Sequence, residues 1–545
     1  MRVFFVNPPL RDWRFSRSQR SPGVIKSGTM YYPYWLAHAA ALAESKGHEI
    51  VLMDCPADNL GRPQLLAALK EFQAEMVVFD TSTPSFNHDL ETVTVLSKEH
   101  PCHYVASGTH ATAEWQVALK QCPELDFVAI GEFDLTIVEL AKALEEGKDP
   151  ARVPGVGLMR DGEPVRGPAR LPIEDMDTLP WIAPIYKRFL TPHNYLFTNA
   201  HQPMLMLIGG RGCKSRCFFC VYPQVMHGHT YRTRSPEHLV GEMKWIEDNM
   251  PEVKEIVFED DTFTSDRAWA QRTAALIKEK GVTIPWFANI RTNVDYETLK
   301  ALRQAGLREC ATGFESADKT VLANMRKGQV PSQQHAFMEN ARALGILVHG
   351  CFMVGFPGET QETMEKTFQL AVELEPDSAQ FYPVMPYPGT GAYQWAKDNG
   401  YLATENFDEW LTDEGGHRCV LNLPGLQPED MEQFCEQAFR RFYLRPEYIM
   451  RKLIQAIRDP REGLRSVNGF INFLKYLFSD GQKRGQGKLM SKPIHVDDAW
   501  HTRIQVPKGR MERVADMLRT SSKRTDDDDA LNTRILSEEE ASQRL

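Results

Sequence analysis

Three thiols stand within eight residues of one another, at Cys213, Cys217 and Cys220 in the stretch GGRGCKSRCFFC. The chain has ten cysteines and the other seven are scattered singly, so this loop is the place where thiolates can converge on one metal centre. Structural zinc takes four ligands. The nearest further donors, His227 and His229, have six and eight residues between them and Cys220, which does not match the usual spacing of a zinc finger. Lys214 and Arg216 alternate with the thiols and mark a polar loop instead of a core. An iron-sulfur centre fits this pattern best.

The loop must be held by the elements around it. It follows the apolar strand MLMLIGG, the first of six, the others being EIVFED, WFANIRTN, CATGFES, LVHGCFMVG and AQFYPVMP, with helical stretches such as PEHLVGEMKWIEDNM between them. That alternation predicts a partial or complete α/β barrel over residues 191–400 with its active end at the C-terminal rim of the strands. Residues 1–145 alternate in the same way, from RVFFVN to LTIVELAKALEEG, and predict a Rossmann-like parallel sheet covered on both faces. Its loops at Asn7, at Thr81 and Ser82, at Ser107 and Gly108, and at Gly131 and Glu132 follow strand C-termini, where open α/β sheets bind ligands. Residues 146–190, rich in proline, read as a connector. Helical patterns dominate residues 401–520, and residues 521–545, with the run Asp526–Asp529, read as disordered.

Composition narrows the function. At 545 residues the chain is long enough for two or three domains. With 42% hydrophobic and 25% charged residues and a mean hydropathy of −0.40 it reads as soluble and globular, without an apolar run of membrane-spanning length. The N-terminus shows no secretory pattern, and the cysteine usage suits a reducing compartment, so a cytoplasmic location is expected. A net charge of −10 argues against a nucleic-acid partner held by a general basic surface.

The C-x3-C-x2-C loop after a first barrel strand resembles the radical S-adenosylmethionine (SAM) enzymes. FEDDTF (258–263), RTN (291–293), GFES (313–316), GCFMVGFPGET (350–360) and MPYPGTGAY (385–393) resemble that barrel in order and spacing. The resemblance implies that Cys213, Cys217 and Cys220 hold a four-iron, four-sulfur cluster whose fourth iron is left for the amino and carboxylate groups of SAM. One-electron cleavage would then release methionine and a hydrogen-abstracting 5'-deoxyadenosyl radical, with a flavodoxin or ferredoxin as electron donor. Phe219 would lie near adenine. Glu259 and Asp260 stand where many relatives have Gly-Gly-Glu for the methionine amino group, although the glycines are absent here. Arg291 and Glu315 could contact the carboxylate and ribose or pair with each other as an ion pair on the rim. Gly355, Pro357 and Gly358 would let backbone approach adenine or form a plain turn.

An α/β domain ahead of such a barrel resembles the cobalamin-dependent subfamily, through the NPP turn, the YPYW helix start, the SGTHAT loop and IGEFDLT. The nucleotide tail of cobalamin would then pass Thr81, Ser82, Ser107, Gly108 and Gly131, near Asn7 and Glu132, with the corrin facing the barrel. No D-x-H-x-x-G occurs in residues 1–150, so no lower axial histidine is offered in the usual way. The alternative is a Rossmann-like domain whose serines and threonines merely cap helices.

The resemblance implies methyl transfer from methylcobalamin to an unactivated carbon, or phosphorus, of a small molecule. An alternative is a cyclase or ring-rearranging enzyme of tetrapyrrole or hopanoid type without net methylation. A methylthiotransferase, using Cys55, Cys102 and Cys122 for a second cluster, and a non-catalytic cobalamin sensor are further readings. Residues 445–477 mix basic and apolar residues at helical spacing, as a cap packed on the barrel or a peripheral membrane contact would. Phe442, Tyr443 and Tyr448 read as pocket wall or as core.

Overall fold

The computed structural model describes residues 1–24, 28–413 and 415–466. The expected disordered tail, and the part of the 401–520 region after Ser466, lie outside the described residues. In the first sheet β1 (Arg2–Asn7), β2 (Glu49–Asp54), β3 (Met76–Asp80), β4 (His103–Ser107) and β5 (Phe127–Ala129) run parallel in the order β2-β1-β3-β4-β5. Consecutive residues along β1 and β3 point to opposite faces and nearly all are buried, so both faces are covered.

The sheet does not stop there. The connector expected over 146–190 carries β6 (Val156–Arg160) and β7 (Glu163–Arg166), which extend the sheet beyond β5 as an antiparallel hairpin. Their turn, Asp161-Gly162, has φ values of 52° and 82°, the two positive angles that a two-residue hairpin turn demands. Pro164 falls in the edge strand, where a sheet tolerates proline.

The second sheet begins with β8 (Met204–Leu207). A short antiparallel ribbon follows, β9 (Gly210–Arg211) with β10 (Arg232–Thr233). The sheet continues through β11 (Glu255–Phe258), β12 (Trp286–Asn289), β13 (Leu307–Glu315), β14 (Leu347–Val354) and β15 (Ser378–Pro383). All six main strands are parallel, in the order β15-β14-β13-β12-β11-β8, a partial six-stranded barrel.

The free edge at β15 is covered by helices Pro428–Tyr443 and Pro446–Arg458. The Ala379 N–H donates to the Tyr443 hydroxyl, which donates to the Ala379 carbonyl, both at 2.9 Å. Phe442 is fully buried, 6.2 Å from the Phe381 ring. Phe442, Tyr443 and Tyr448 are therefore core on the outer edge of the sheet. Among the described residues no helix is long and apolar enough to cross a membrane.

The two sheets are joined by buried charge. Arg211, on the ribbon, grips Asp134 with two hydrogen bonds of 2.6 and 3.0 Å, and its guanidinium lies 5.1 Å from the Trp35 ring. Glu132 accepts from Arg232 at 3.0 Å and faces His227 Nδ1 at 3.1 Å. Burial alone would raise the Glu132 carboxyl, but His227, Arg232 and Arg211 hold it well below the ordinary carboxylate range. Its stabilising contribution is thus complete above the unfolded pKa of about 4.3 and is lost as pH falls through the lower folded value. We expect Glu132→Gln to lose about 3 kcal/mol near neutral pH and to unfold with a flatter acid limb, measured as denaturation midpoints between neutral and acidic pH.

Candidate active site

The ribbon forms the neck of the three-cysteine loop. Side chains on the preceding glycines would have no room: a Cβ on Gly209 would stand 2.8 Å from Trp269, and one on Gly210 2.9 Å from Tyr231. Gly212 has φ +87° and its Cβ would run into the Thr230 carbonyl. Beyond the neck the loop is cross-braced by one side chain. Gln224 donates to the carbonyls of Cys217 (3.1 Å), Phe218 (3.1 Å) and Cys220 (2.9 Å), and accepts from the Gly391 N–H (3.0 Å). Phe218 adds backbone bonds to Met325 and Ala392.

Cys213 is buried, while Cys217 and Cys220 are half-buried. Burial pushes the Cys217 and Cys220 thiols up; Lys327 and Arg291 beside Cys217, and Arg20 beside Cys220, pull them back. Cys220 also feels Cys217 and Cys213, and Cys217 feels Cys213. Among the described residues no group of three His, Cys, Asp or Glu side chains is gathered tightly enough for a single metal ion. Three soft thiolate donors on one short loop suit an iron-sulfur cluster. The two histidines are committed elsewhere, His227 to Glu132 and His229 to the carbonyls of Cys213 (3.2 Å) and Ser215 (2.9 Å). Cys55 follows the C-terminal end of β2 and Cys102 precedes the N-terminal end of β4, at opposite ends of the strands of a parallel sheet, so Cys55, Cys102 and Cys122 do not converge on a second cluster.

The rim brings several expected residues together. Phe219 packs edge-on against Phe356 at 5.2 Å, which sets it beside the turn of Gly355 (φ +95°), Pro357 and Gly358 (φ +88°). Arg291 and Glu315 do not pair with each other. Arg291 donates to the Ser215 hydroxyl and the Lys327 carbonyl. Glu315 takes Lys327 as its partner at 2.6 Å because Gly313, lacking a side chain, leaves room for that pair. Glu315 is buried with φ +63°, at a register shift between β13 and β14. Backbone strain of this kind gathers at functional sites. Its Oε2 is buried without a partner, an acceptor suited to a ligand hydroxyl or ammonium.

Glu259 and Asp260 part company. Asp260 points into the barrel wall, accepting from the Gly209 N–H (2.8 Å) and the Tyr231 hydroxyl (3.1 Å), and burial pushes its carboxyl up to about 7. Glu259 is held at 2.9 Å by Arg20, which also donates to the carbonyls of Glu259 (3.0 Å) and Asp260 (2.9 Å). Arg20 belongs to the loop after β1. That loop is pinned at one point by the buried Arg17 to Asp89 pair and at another by Ser21, 3.0 Å from the Tyr387 hydroxyl. Arg20 and Lys327 lie in irregular segments and Gln224 in the short π-helix Pro223–His227, and none of the three carried a motif signal.

In the first domain, Thr81 donates to Asp89 (2.8 Å), Ser82 bonds Ser85 (3.0 Å) and Ser107 donates to the Phe79 carbonyl (3.0 Å). All three hydroxyls are spent inside the domain. A Cβ on Gly108 would collide with Asp80, so its role in the turn is steric. Asn7 differs: both atoms of its amide are buried and unpartnered at the C-terminal end of β1. Gly131 and Glu132 open on a cavity of about 170 Å³ lined also by Thr112, Arg166, Arg170 and Met226. A cavity of this order accepts one aromatic ring. The orphaned buried amide of Asn7 is a hydrogen-bonding group that fits the amide periphery of cobalamin.

Comparison with known proteins agrees with this geometry. Residues 207–371 match the radical SAM superfamily, and residues 20–141 match the B12 binding domain. An uncharacterised methyltransferase of Pyrococcus horikoshii is 30% identical over 431 residues, 78% of this chain and 91% of the relative. The anaerobic magnesium-protoporphyrin IX monomethyl ester cyclase of Rubrivivax gelatinosus is 25% identical over 403 residues, 72% of this chain and 70% of the relative. The fold is that of the radical SAM methyltransferase TsrM of Kitasatospora setae, solved with cobalamin and a [4Fe-4S] cluster, with a TM-score of 0.63 at 16% identity over 82% of this chain and 89% of that one.

Gln224 tests the bracing of the loop separately from its ligands. Gln224→Ala keeps all three thiols and is expected to weaken iron retention about tenfold, read as faster release of iron to a chelator from anaerobically reconstituted protein. Cys213→Ala should lose the visible iron-sulfur absorption altogether.

Proposed function

Because the chain belongs to the cobalamin-dependent radical SAM enzymes, we propose that it moves a methyl group from SAM to an unactivated carbon, or phosphorus, of a small-molecule biosynthetic intermediate. The observation that carries this reading is the braced three-thiol loop, bolted by Arg211 and Arg232 to the C-terminal rim of the B12-binding sheet. The name of the Pyrococcus relative, matched over 91% of its length, supports methyl transfer.

When bound, the cluster, SAM and cobalamin supply one-electron reduction, a hydrogen-abstracting radical and a methyl carrier. The residues of the chain bind and orient. Cys213, Cys217 and Cys220 take three corners of the cluster. Phe219 and the Gly355–Pro357 turn flank the adenine, and Glu315, Lys327 and Arg291 meet the polar groups of SAM beside Cys217. Arg20 holds Glu259 in place at the mouth of the barrel. Asn7 and Gly131 face the cobalamin side. Such a site catalyses by positioning two reactive groups around one substrate, which requires no general base among the lining residues. A flavodoxin or ferredoxin supplies the electron, and a cytoplasmic, reducing setting keeps the thiols free.

The Rubrivivax relative supports a second reading, ring closure without net methylation. With methyl-labelled SAM, a reductant, hydroxocobalamin and candidate acceptors, methyl transfer should yield labelled product with S-adenosylhomocysteine and 5'-deoxyadenosine in equal amounts. Deoxyadenosine with unlabelled product would instead establish the cyclase reading.

A further inference from the structure

The three-thiol loop has a basic setting in an acidic chain. From Gly209 to Pro236 there are five Lys and Arg and no Asp or Glu, and from Lys319 to Met338 three Lys and Arg and no Asp or Glu, although acidic residues outnumber Lys and Arg by 73 to 63 over the whole sequence. The fold brings the two segments together. The Phe218 N–H donates to the Met325 carbonyl at 3.1 Å, and Arg291 bridges the Ser215 hydroxyl and the Lys327 carbonyl. Arg326 stands between those two contacts, with φ +54°, and is exposed.

Some of this charge is satisfied inside the protein. Arg211 and Arg232 serve Asp134 and Glu132, Arg234 lies 2.6 Å from Glu242, and Lys327 pairs with Glu315. Lys214, Arg216 and Arg326 differ, since all three are exposed and none forms an ion pair among the described residues. Cys220 is turned toward Arg20 of the loop after β1, whereas half-buried Cys217 is turned toward Lys327 and Arg291, which adjoin Arg326 and Ser215. The exposed cations therefore stand over the Cys217 side of the loop.

We propose that Lys214, Arg216 and Arg326 form the docking surface of a small acidic one-electron carrier protein of the flavodoxin kind, and set its prosthetic group over the Cys217 side of the loop. This rests on the reading of the three thiols as cluster ligands. The carrier loses one electron, the cluster gains it, and no atom is exchanged. Electron transfer weakens steeply with distance, so cations on the thiol loop itself hold an acidic carrier where transfer is fastest. A nucleic acid is the weaker occupant, because single strands bind along grooves that add aromatic stacking faces to the charge. Phe218 offers no such face, being packed 6.2 Å from the Phe356 ring and 6.0 Å from that of Trp395.

Anaerobically reconstituted full-length protein is titrated at low salt with an oxidised acidic flavodoxin, and binding is read by calorimetry. Cluster reduction is then followed by visible absorption, using the same flavodoxin as its hydroquinone and photoreduced 5-deazariboflavin as a small uncharged reductant. Lys214→Glu with Arg326→Glu is compared with Arg326→Glu alone, which leaves the thiol loop untouched, at equal iron content. The double substitution should weaken flavodoxin binding at least about tenfold, and Arg326→Glu alone by less, with slower reduction by flavodoxin and unchanged reduction by deazariboflavin. Binding to the unsubstituted protein should also weaken as salt rises. Flavodoxin that does not bind, or whose affinity neither the substitutions nor salt lower, overturns the proposal and leaves the cluster reading intact. Single-stranded DNA that the unsubstituted protein binds and the double variant releases, at unchanged flavodoxin affinity, assigns the surface to a nucleic acid and overturns it too. Protein that acquires no iron-sulfur absorption overturns both readings together.

Discussion

Charge cannot be left unpaired in a protein interior, and that constraint fixes the relation between the two halves of this molecule. Arg211 is 1% exposed and Glu132 is 3% exposed, so neither has water to fall back on if the other half of the chain moves away. A buried ion pair contributes little net stability compared with well-packed apolar residues, but breaking it is costly, and the cost falls steeply on misalignment. The pairs sit on the ribbon that forms the neck of the three-cysteine loop. Whatever the loop holds is therefore fixed relative to the C-terminal ends of the first sheet. The glycines beside Arg211, Gly210 and Gly212, let the segment around Arg211 close against Thr230, Tyr231 and Arg232.

A second tie crosses at the mouth of the barrel. Arg20 reaches from the loop after β1 to Glu259 and to two backbone carbonyls, while Val24 N–H bonds the Gly415 carbonyl at 2.8 Å. Trp13, Phe15, Val24 and Leu411 close a small separate apolar cluster around this strap. One segment thus touches the B12-binding sheet, the barrel mouth and the region after the barrel. An enzyme that must present one substrate to two reactive centres gains from such a frame, since misplacement of either centre by an ångström carries a large penalty in rate. The lumen beneath it holds charges of both signs, Arg20, Lys327 and Arg291 against Glu259, Asp261 and Glu315, an environment matched to a zwitterionic amino acid moiety.

Much of this was legible in the sequence, because it is carried by local pattern. The strands of both sheets show as apolar runs, and the three thiols and the glycines before them lie within one short stretch. What stayed hidden depends on contacts between distant segments. Arg20 and Glu259 are far apart in the chain, and nothing in RSQRSPG distinguishes one arginine from its neighbours. Glu132 read as a ligand contact, whereas its carboxylate serves the junction with the ribbon. Thr81, Ser82 and Ser107 occupy strand ends as expected, yet a hydroxyl at a strand end can turn inward to satisfy its own domain, and these three do. The β6-β7 hairpin did leave a local signal in Asp161-Gly162, but the surrounding prolines suggested irregular chain and outweighed it.

Helix Pro446–Arg458 packs with its faces reversed, and this follows from the same physics as the sheet it covers. An open parallel sheet ends in a strand whose outer N–H and C=O groups must find partners. Aliphatic side chains cannot supply them. At β15 the partners are Tyr443 for Ala379 and, just before the strand, Tyr448 and Arg451 for the carbonyls of Asp377, Glu375 and Pro376. The helix that brings these groups must turn its polar side inward, and its aliphatic residues are left facing out. A closed barrel would have needed no such cap; leaving the barrel open thus places an apolar stripe on the surface.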